Sequence, residues 1–322
     1  MHRIQRVIAI ISLLVINATV GAEAQSFPDK PIRLVLPLAA GSSTDNLARI
    51  LASVISTETK QPVIVENRPG ANGFLGLQAV QAAPPDGYTL LMTTNSTQVI
   101  NRFLFKNLPY DPEKSFAPIT ALGRGWLMMV VNPKNPATTV GEFLESARKD
   151  SGKVSFGSGT AVTRFAGEMI QQIGNVKLLH VPYKSVPPAI NDLLGGQIDT
   201  LITDGGTVMP HVRAGKLRAL GVTSAKRLKG LPEMPTLDEQ GLPGYEMSFW
   251  YAAYAPAGTP PAIIARLNAL FARAVNDPAA QAFFTSSLNE AYITSPVGLA
   301  QFQAAETEKW RRIAMAAGVQ PE

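Results

Sequence analysis

The sequence predicts an α/β protein built from two similar lobes with a cleft between them. Short apolar strands alternate with amphipathic helical patterns along most of the chain. A unit of strand, small polar loop and helix recurs, first as IRLVLPLAAGSSTDNLARIL and later as KVSFGSGTAVTRFAGEMI. Such alternation is typical of sheets covered by helices, and 322 residues exceed what one core usually holds.

The first cycle of elements begins after residue 31. The apolar run at 32–38 predicts a buried strand, and 45–56 predicts an amphipathic helix. A strand and turn at 61–69, a helix at 70–83 and a strand at 87–94 follow. This β-α-β-α-β order indicates a parallel sheet covered by helices.

The pattern changes near Phe116, where FAPITALGRG and WLMMVVNP are both extended with no helix between them. A second cycle follows, and its predicted helices lie at 138–149, 163–173, 187–195 and 207–214. A connection at 225–245, rich in Pro, Gly and charge, leads to the strand SFWYAAYAP and to two or three final helices.

These changes predict the division of the chain. Lobe 2 comprises residues 125–226, and lobe 1 comprises residues 25–124 together with 227–322. Two extended crossings, near 119–126 and 224–248, would then act as hinges.

The first 24 residues have the pattern of a secretory signal peptide. MHRIQR is basic, VIAIISLLVINATVGA is apolar, and AEA at 22–24 fits a cleavage site between small residues. An uncleaved membrane anchor is the alternative, although the apolar run is short for a span. A signal peptide at 1–24 predicts export to the periplasm.

Composition excludes several classes of function. The chain has no Cys, so it has no disulfide, thiolate metal site or cysteine nucleophile. A net charge of +5 without a dense basic run does not suggest nucleic-acid binding. His180 and His211 have no partner at metal-binding spacing and are predicted to be structural. No cofactor or metal is expected.

Two small polar loops are the candidate binding elements: the first loop (residues 37–43) and the second loop (residues 157–163). Each follows a strand and begins a helix, where unpaired N–H groups and the helix dipole favour anions. The first contains Gly41, which permits close approach of a ligand, and the hydroxyls of Ser42 and Ser43. The alternative is structural: Ser43 or Thr44 caps the helix, with Asp45 in its first turn.

Asp204 and the loop serines raise further alternatives. Asp204 ends the apolar strand IDTLIT, where it either caps a helix or contacts a ligand. The motifs G-x-S-x-G and G-x-x-x-x-G-K-[ST] are both absent. An exported serine hydrolase stays open only if His180 or His211 lies within hydrogen-bond distance of Ser42 or Ser158.

Longer stretches of the chain resemble the receptors of tripartite tricarboxylate transporters, also known as the Bug family of substrate-binding proteins. The stretches that carry the resemblance are FPDKPIRLVLPLAAGSSTDNLARILA, VENRPGANGFLG, PPDGYTLL, INRFLFKNLPYDPEKSFAPIT, FGSGTAVTRFAGEM, HVPYKS, AGKLRALGVTS and PTLDEQGLPGYEMSFWYAAYAPAGTPP. The stretches lie in order between residues 27 and 261, and the resemblance covers essentially all of residues 26–322.

The resemblance implies a periplasmic-binding-protein fold of the Venus flytrap, type II-like kind, that closes on a small carboxylate. Its partners would be the membrane subunits of a tripartite tricarboxylate transporter, and the receptor would be a monomer that does not bind nucleic acid. A ligand-dependent sensor would have the same features. The implied ligand-binding residues are Leu38, Ala40, Gly41, Ser42, Ser43, Asn95, Ser96, Thr97, Ser158, Gly159, Thr160, Thr163, Tyr183 and Asp204, with Lys184 as an addition.

The sequence also departs from the family pattern. Ser42 replaces a second glycine, Leu38 replaces a frequent Phe, and YKS replaces the usual YKG. Trp126 is unusually bulky beside the first predicted crossing. We expect these changes to alter the far end of the ligand, so no known ligand is carried over.

Overall fold

Strands and helices alternate in a computed structural model that describes residues 27–316, 318, 320 and 321. The predicted signal peptide lies outside these residues. The first cycle consists of β1 (Ile32–Leu36), α1 (Ser43–Thr59), β2 (Val63–Asn67), α2 (Phe74–Gln81) and β3 (Thr89–Thr94). Strand β1 pairs in parallel with both β2 and β3, which confirms the parallel unit predicted for this part of the chain.

Helix α2 begins four residues later than the pattern predicts. Residues 70–73 all have positive φ: 115° at Gly70, 47° at Ala71, 53° at Asn72 and 90° at Gly73. Residues in this left-handed region cannot continue an α-helix. They form a short 3₁₀ turn (Ala71–Gly73) that leads into α2.

The family resemblance implies a loop after β3 at Asn95, Ser96 and Thr97, but the structure places these residues in a helical segment. A π-helical turn (Ser96–Ile100) follows β3 and continues as the short helix α3 (Asn101–Leu104). Turns of this kind are rare and often occur at functional sites.

The two extended runs near Phe116 form one long strand, β4 (Phe116–Val131). Its first part pairs with the antiparallel strand β9 (Ser248–Pro256) as far as Trp126. From Leu127 onward it pairs with β7 (Thr200–Asp204) instead. The change of partner lies where the sequence predicts the first crossing, whereas the lobe boundaries stay a prediction.

The second cycle matches its predicted order, with boundaries shifted by at most a few residues. Its elements are α4 (Val140–Lys149), β5 (Ser155–Ser158), α5 (Ala161–Gly174), β6 (Leu179–Pro182), α6 (Val186–Gly195), β7, α7 (Gly205–Arg213) and β8 (Arg218–Val222). Strand β5 is parallel to β6 and β7, whereas β4 is antiparallel to β7 and β8.

The chain then returns to the first set of strands. After a 3₁₀ turn (Asp238–Gln240) and β9, it forms α8 (Pro261–Val275), α9 (Pro278–Ser286), β10 (Glu290–Ala291) and α10 (Pro296–Ala316). The strands join in the order β2-β1-β3-β9-β4-β7-β5-β6, with β8 and β10 also paired to β4. Among the helices described, none is long and apolar enough to cross a membrane.

Candidate functional site

Two adjoining cavities lie where the carboxyl ends of β1, β3, β5 and β7 come together. The larger, of about 300 Å³, is lined by Pro37, Leu38, Ala71, Asn72, Gly73, Thr93, Thr94, Ser96, Thr97, Gly159, Thr160, Ala161, Pro182, Tyr183, Lys184 and Ser185. The smaller, of about 40 Å³, is lined by Leu38, Ser42, Ser43, Thr44, Thr94, Leu127, Thr160, Val162, Thr163, Val186, Thr203, Asp204, Phe249 and Tyr251. Because they share three residues, the cavities form one site.

Most of the residues implied by the resemblance line this site, and four do not. Ala40 and Gly41 are exposed on the first loop, outside both linings. Asn95 is buried, and its Nδ2 donates to the Ser248 carbonyl oxygen at 3.2 Å. Ser158 is buried at the start of the second loop and lies outside both linings. The structure therefore brings ten of the fourteen implied residues, together with Lys184, to the cavity walls.

The first loop is organised by a carboxylate beneath it. Asp45 accepts hydrogen bonds from the Gly41 N–H at 2.9 Å, from Arg49 Nε at 3.1 Å and from Asn67 Nδ2 at 3.0 Å. Burial alone would raise the pKa of Asp45, but these hydrogen bonds outweigh it and the pKa is lowered. The cap of α1 is Ser42, whose Oγ accepts from the Asp45 N–H at 3.2 Å.

That cap corrects one alternative. Ser43 and Thr44 do not cap the helix, because they already lie in its first turn together with Asp45. Their hydroxyls are therefore not needed to satisfy the start of α1, and both residues line the smaller cavity.

The second loop is organised by a neutral hydroxyl. Thr163 Oγ1 accepts hydrogen bonds from the N–H groups of Gly159 at 3.1 Å and Thr160 at 3.0 Å. Thr160 caps α5. Gly159 has no room for a side chain, because a Cβ there would overlap the backbone of Ser185 and Val186. The glycine thus permits close packing against the start of α6.

Hydroxyl groups connect the two halves of the site. Ser96 Oγ accepts the Val162 N–H at 3.3 Å, which joins the turn after β3 to the first turn of α5. Thr93 and Thr97 share a hydrogen bond of 2.7 Å between their hydroxyls. Hydroxyls can both donate and accept, so this wall can rearrange around a polar ligand.

Asp204 lines the smaller cavity. The geometry supports both alternatives for this residue, a helix cap and a ligand contact. It caps α7 by accepting the Thr207 N–H at 3.0 Å, and it also lines the cavity. Burial raises its pKa, against the opposing effect of hydrogen bonds from Thr207 and Ser43. Ser43 Oγ also lies 2.8 Å from Tyr251 Oη, whose pKa is raised by burial and by the charge of Asp204.

Ser158 and His180 form the contact on which the hydrolase alternative depends. Ser158 Oγ and His180 Nε2 are 2.6 Å apart, and Phe156 stacks on the imidazole at 4.9 Å between ring centroids. Acyl transfer also needs donors aimed at the developing oxyanion. The nearby N–H groups of Gly159 and Thr160 donate to Thr163, an acceptor that a ligand could replace. Ser158 itself lines neither cavity, so its hydroxyl is not placed to attack a ligand bound there.

The loop at 71–73 is a part of the site that sequence reasoning missed. Asn72 holds a left-handed conformation, and its carbonyl oxygen accepts from Asn101 Nδ2 at 3.0 Å. Thr94, Ser185 and Phe249 were missed as well. The run PGANG carried a signal, since Gly and Asn are the residues that adopt positive φ most readily.

Charge is sparse in the site. Of the residues lining the two cavities, Lys184 is the one cation and Asp204 the one carboxyl group. Tyr183 Oη donates to Asp192 at 2.7 Å, and burial raises the pKa of Tyr183 to about 12. Within the described part of the chain, no group of three or more His, Asp or Glu residues is placed to hold a metal ion.

Solved structures of other proteins share this fold over most of the chain. Three solved structures are similar: an R. palustris protein with adipate, the periplasmic binding protein BugD, and MatC from Rhodopseudomonas palustris with bound malate. Their identities to this chain are 30%, 32% and 29%, and their TM-scores are 0.89, 0.88 and 0.84. The matches cover 92%, 92% and 89% of this chain, and all of each solved chain.

The fold is thus α/β with the two-lobed architecture of periplasmic binding proteins, as the sequence predicts. The model of the tripartite tricarboxylate transporter family receptor matches residues 47–319. The chain therefore belongs to the receptor family of tripartite tricarboxylate transporters.

Proposed function

We propose that this protein is a periplasmic receptor that binds a small carboxylate between its two polar loops and delivers it to the membrane subunits of a tripartite tricarboxylate transporter. The cavity of about 300 Å³ between the loops, walled by hydroxyls and one lysine, carries the proposal. Dicarboxylates are the favoured class because similar structures hold adipate and malate. The predicted signal peptide and the family support the location and the membrane partner.

The second loop is the proposed cradle for one carboxylate. The N–H groups of Gly159 and Thr160 donate to the neutral Thr163 hydroxyl. A ligand carboxylate that takes the place of this acceptor would form charge-assisted hydrogen bonds, which are roughly twice as strong as neutral ones. Ser96 and Thr97 add hydroxyls from the facing wall.

Lys184 is the proposed partner of the second carboxylate. It is exposed at the wall of the larger cavity, beside Tyr183 and Ser185. A flexible ammonium can follow carboxylates of different chain lengths. Asp204 would accept a hydroxyl hydrogen of the ligand in the smaller cavity, where Ser42 and Ser43 also lie.

Titration calorimetry with adipate, malate, hexanoate and 1,6-hexanediol tests the proposal. We expect the dicarboxylates to bind and the diol to show no heat. Lys184→Met should weaken adipate binding about tenfold, the loss expected for one charge-assisted hydrogen bond, and hexanoate binding less. Lys153→Met, which removes an exposed lysine elsewhere, is the matched control. Binding of the diol in preference to the acids would refute the carboxylate cradle.

A serine hydrolase is the second candidate function, favoured by the 2.6 Å contact between Ser158 and His180. Its test is labelling by a fluorophosphonate, which reacts with activated serines, followed by intact-protein mass spectrometry. A receptor should show no adduct. An adduct on the wild type that is absent from Ser158→Ala would establish the hydrolase instead.

A further inference from the structure

A third cavity, of about 570 Å³, lies beside the point where β4 changes partners. Its walls are Trp126, the segment 224–230, Glu246, and residues 284, 285 and 288–290 from the end of α9 onward. None of these residues lines the two cavities of the proposed carboxylate site. The cavity is therefore a separate feature that the receptor function does not explain.

The cavity touches both places where the chain crosses between the two sets of strands. Trp126 is the last β4 residue paired with β9, and Leu127 is the first paired with β7. At the second crossing, Thr223 donates its N–H to the Leu127 carbonyl oxygen at 2.9 Å. Ser224, the next residue, lines the cavity.

A buried hydroxyl in this wall has an unmet hydrogen-bonding capacity. Ser224 is 3% exposed, and its Oγ has no hydrogen-bond partner among the described residues. A buried polar group without a partner destabilises the folded protein, because it has lost its hydrogen bonds to water. Such groups are rare in folded proteins, and each one calls for an explanation such as a bound polar group.

The charges of the cavity favour an anion. Arg227 is paired with Glu239 at 2.9 Å, and Glu290 with Arg124 at 3.0 Å, so each of these charges is already compensated. Lys226 and Lys229 line the same cavity and form no ion pair among the residues that the structure describes. Glu246 is the one remaining carboxylate of the lining, which leaves an excess of positive charge.

The remaining wall is aromatic and apolar. Trp126 is half-buried in the cavity wall, and Phe284, Leu228 and Leu288 add apolar surface to the same lining. A ring that packs against an indole gains a favourable aromatic contact in addition to the area it buries. An aromatic face beside two ammonium groups and a single carboxylate suits an acid that carries a ring.

We propose that this cavity is a second ligand site, which takes a small aromatic carboxylate. The ring packs on Trp126, and the carboxylate accepts hydrogen bonds from Lys226, Lys229 and the Ser224 hydroxyl. Asn289 lies between this cavity and the proposed carboxylate site. It lines the third cavity, and its Nδ2 donates to the hydroxyl of Tyr251, which lines the smaller cavity of the carboxylate site, at 3.2 Å. The proposal does not depend on which ligand the carboxylate site binds.

The test is a benzoate titration of the protein labelled with 5-fluorotryptophan, followed by ¹⁹F NMR. The chain has three tryptophans, of which Trp250 and Trp310 are almost fully buried, and Trp126→Phe assigns the third resonance. We expect a saturable shift of the Trp126 resonance alone. Benzyl alcohol, which has the ring without the charge, should shift it much less.

Paired lysine variants locate the carboxylate. Lys226→Ala with Lys229→Ala should weaken benzoate binding about tenfold, because charge-assisted hydrogen bonds are lost. Lys134→Ala with Lys153→Ala changes the net charge equally and should leave the affinity unchanged. Unmoved Trp250 and Trp310 resonances show that the variants are folded. Equal weakening by both pairs, an unaffected affinity in the first pair, or no saturable shift of Trp126 would each overturn the proposal.

Discussion

The first and second polar loops look alike in the sequence, but they differ in the group that holds each of them. In the first loop the Gly41 N–H donates to the carboxylate of Asp45 at 2.9 Å. In the second loop the Gly159 N–H donates to the hydroxyl of Thr163 at 3.1 Å. At the first loop an anion would have to replace a carboxylate that is also paired with Arg49 at 3.0 Å, whereas at the second loop it would replace a neutral hydroxyl.

This difference assigns unequal roles to two loops that the sequence presents as a symmetric pair. A ligand carboxylate gains less where it must replace another carboxylate on the same N–H group than where it replaces a neutral hydroxyl. We therefore expect the second loop to hold the ligand carboxylate, and the first to contribute the hydroxyls of Ser42 and Ser43. Four variants test this difference between the loops and the residues around them.

The glycines should give the largest difference. A Cβ at 159 would overlap the backbone of Ser185 and Val186, whereas a Cβ at 41 would have open space around it. Gly159→Ala should lower the free energy of unfolding by about 3 kcal/mol, because overpacking forces the backbone to move. Gly41→Ala should cost about 1 kcal/mol, from its φ of +78° alone. Urea denaturation measures both, and equal losses would contradict the packing role of Gly159.

The Asp45→Asn variant should give an intermediate effect that depends on pH. The pKa of Asp45 is lowered in the folded protein, so its stabilising effect is present above the ordinary value of 3.8 and is lost as pH falls below it. The variant should lose about 1 kcal/mol of stability at pH 7, since the Arg49 partner is half exposed.

The difference from the wild type should shrink near pH 3 in thermal melts recorded across this range. Asp150→Asn, which changes an exposed carboxylate, is the control. The same Asp45→Asn variant should bind adipate more tightly at pH 7, because it removes a negative charge from the first loop. Weaker binding would mean that the first loop holds the carboxylate.

The Asp204→Asn variant should give the smallest effect and the opposite sign. Burial raises the pKa of Asp204, so its ionised form opposes folding as pH rises through the folded pKa. An asparagine can still cap α7 and carries no charge. We expect a gain below about 1 kcal/mol at pH 7 that vanishes in acid, measured by calorimetric melting. A loss at pH 7 would show that the carboxylate is stabilised where it lies.

Much of the fold could be predicted from local periodicity. Strand β9 has the predicted bounds, and most other elements differ by a few residues, because apolar patterning depends on nearby positions. The π-helical turn at Ser96–Ile100 could not be predicted, since it depends on hydroxyl contacts such as that between Thr93 and Thr97. The continuity of β4 was missed because one strand with two partners has no local signature.

The candidate site also has features that the sequence could predict and features that it could not. The loops after strands could be located from the sequence, because parallel strands end at one edge of a sheet. The partner of each loop amide could not, since Asp45 and Thr163 occupy equivalent positions with different chemistry. The contact between Ser158 and His180 joins residues 22 positions apart and requires the pairing of β5 with β6.

The single strand β4 has a mechanical consequence. It carries hydrogen bonds along its length, with register shifts at Pro118/Thr120, Ala121/Gly123 and Met129/Val130. A crossing made of paired strand cannot swivel freely, as a glycine linker would. Relative rotation of the two sets of strands must be stored as torsion in β4, and the irregular positions supply its compliance. The receptor is therefore expected to open and close like a torsion spring, with a restoring force set by this strand.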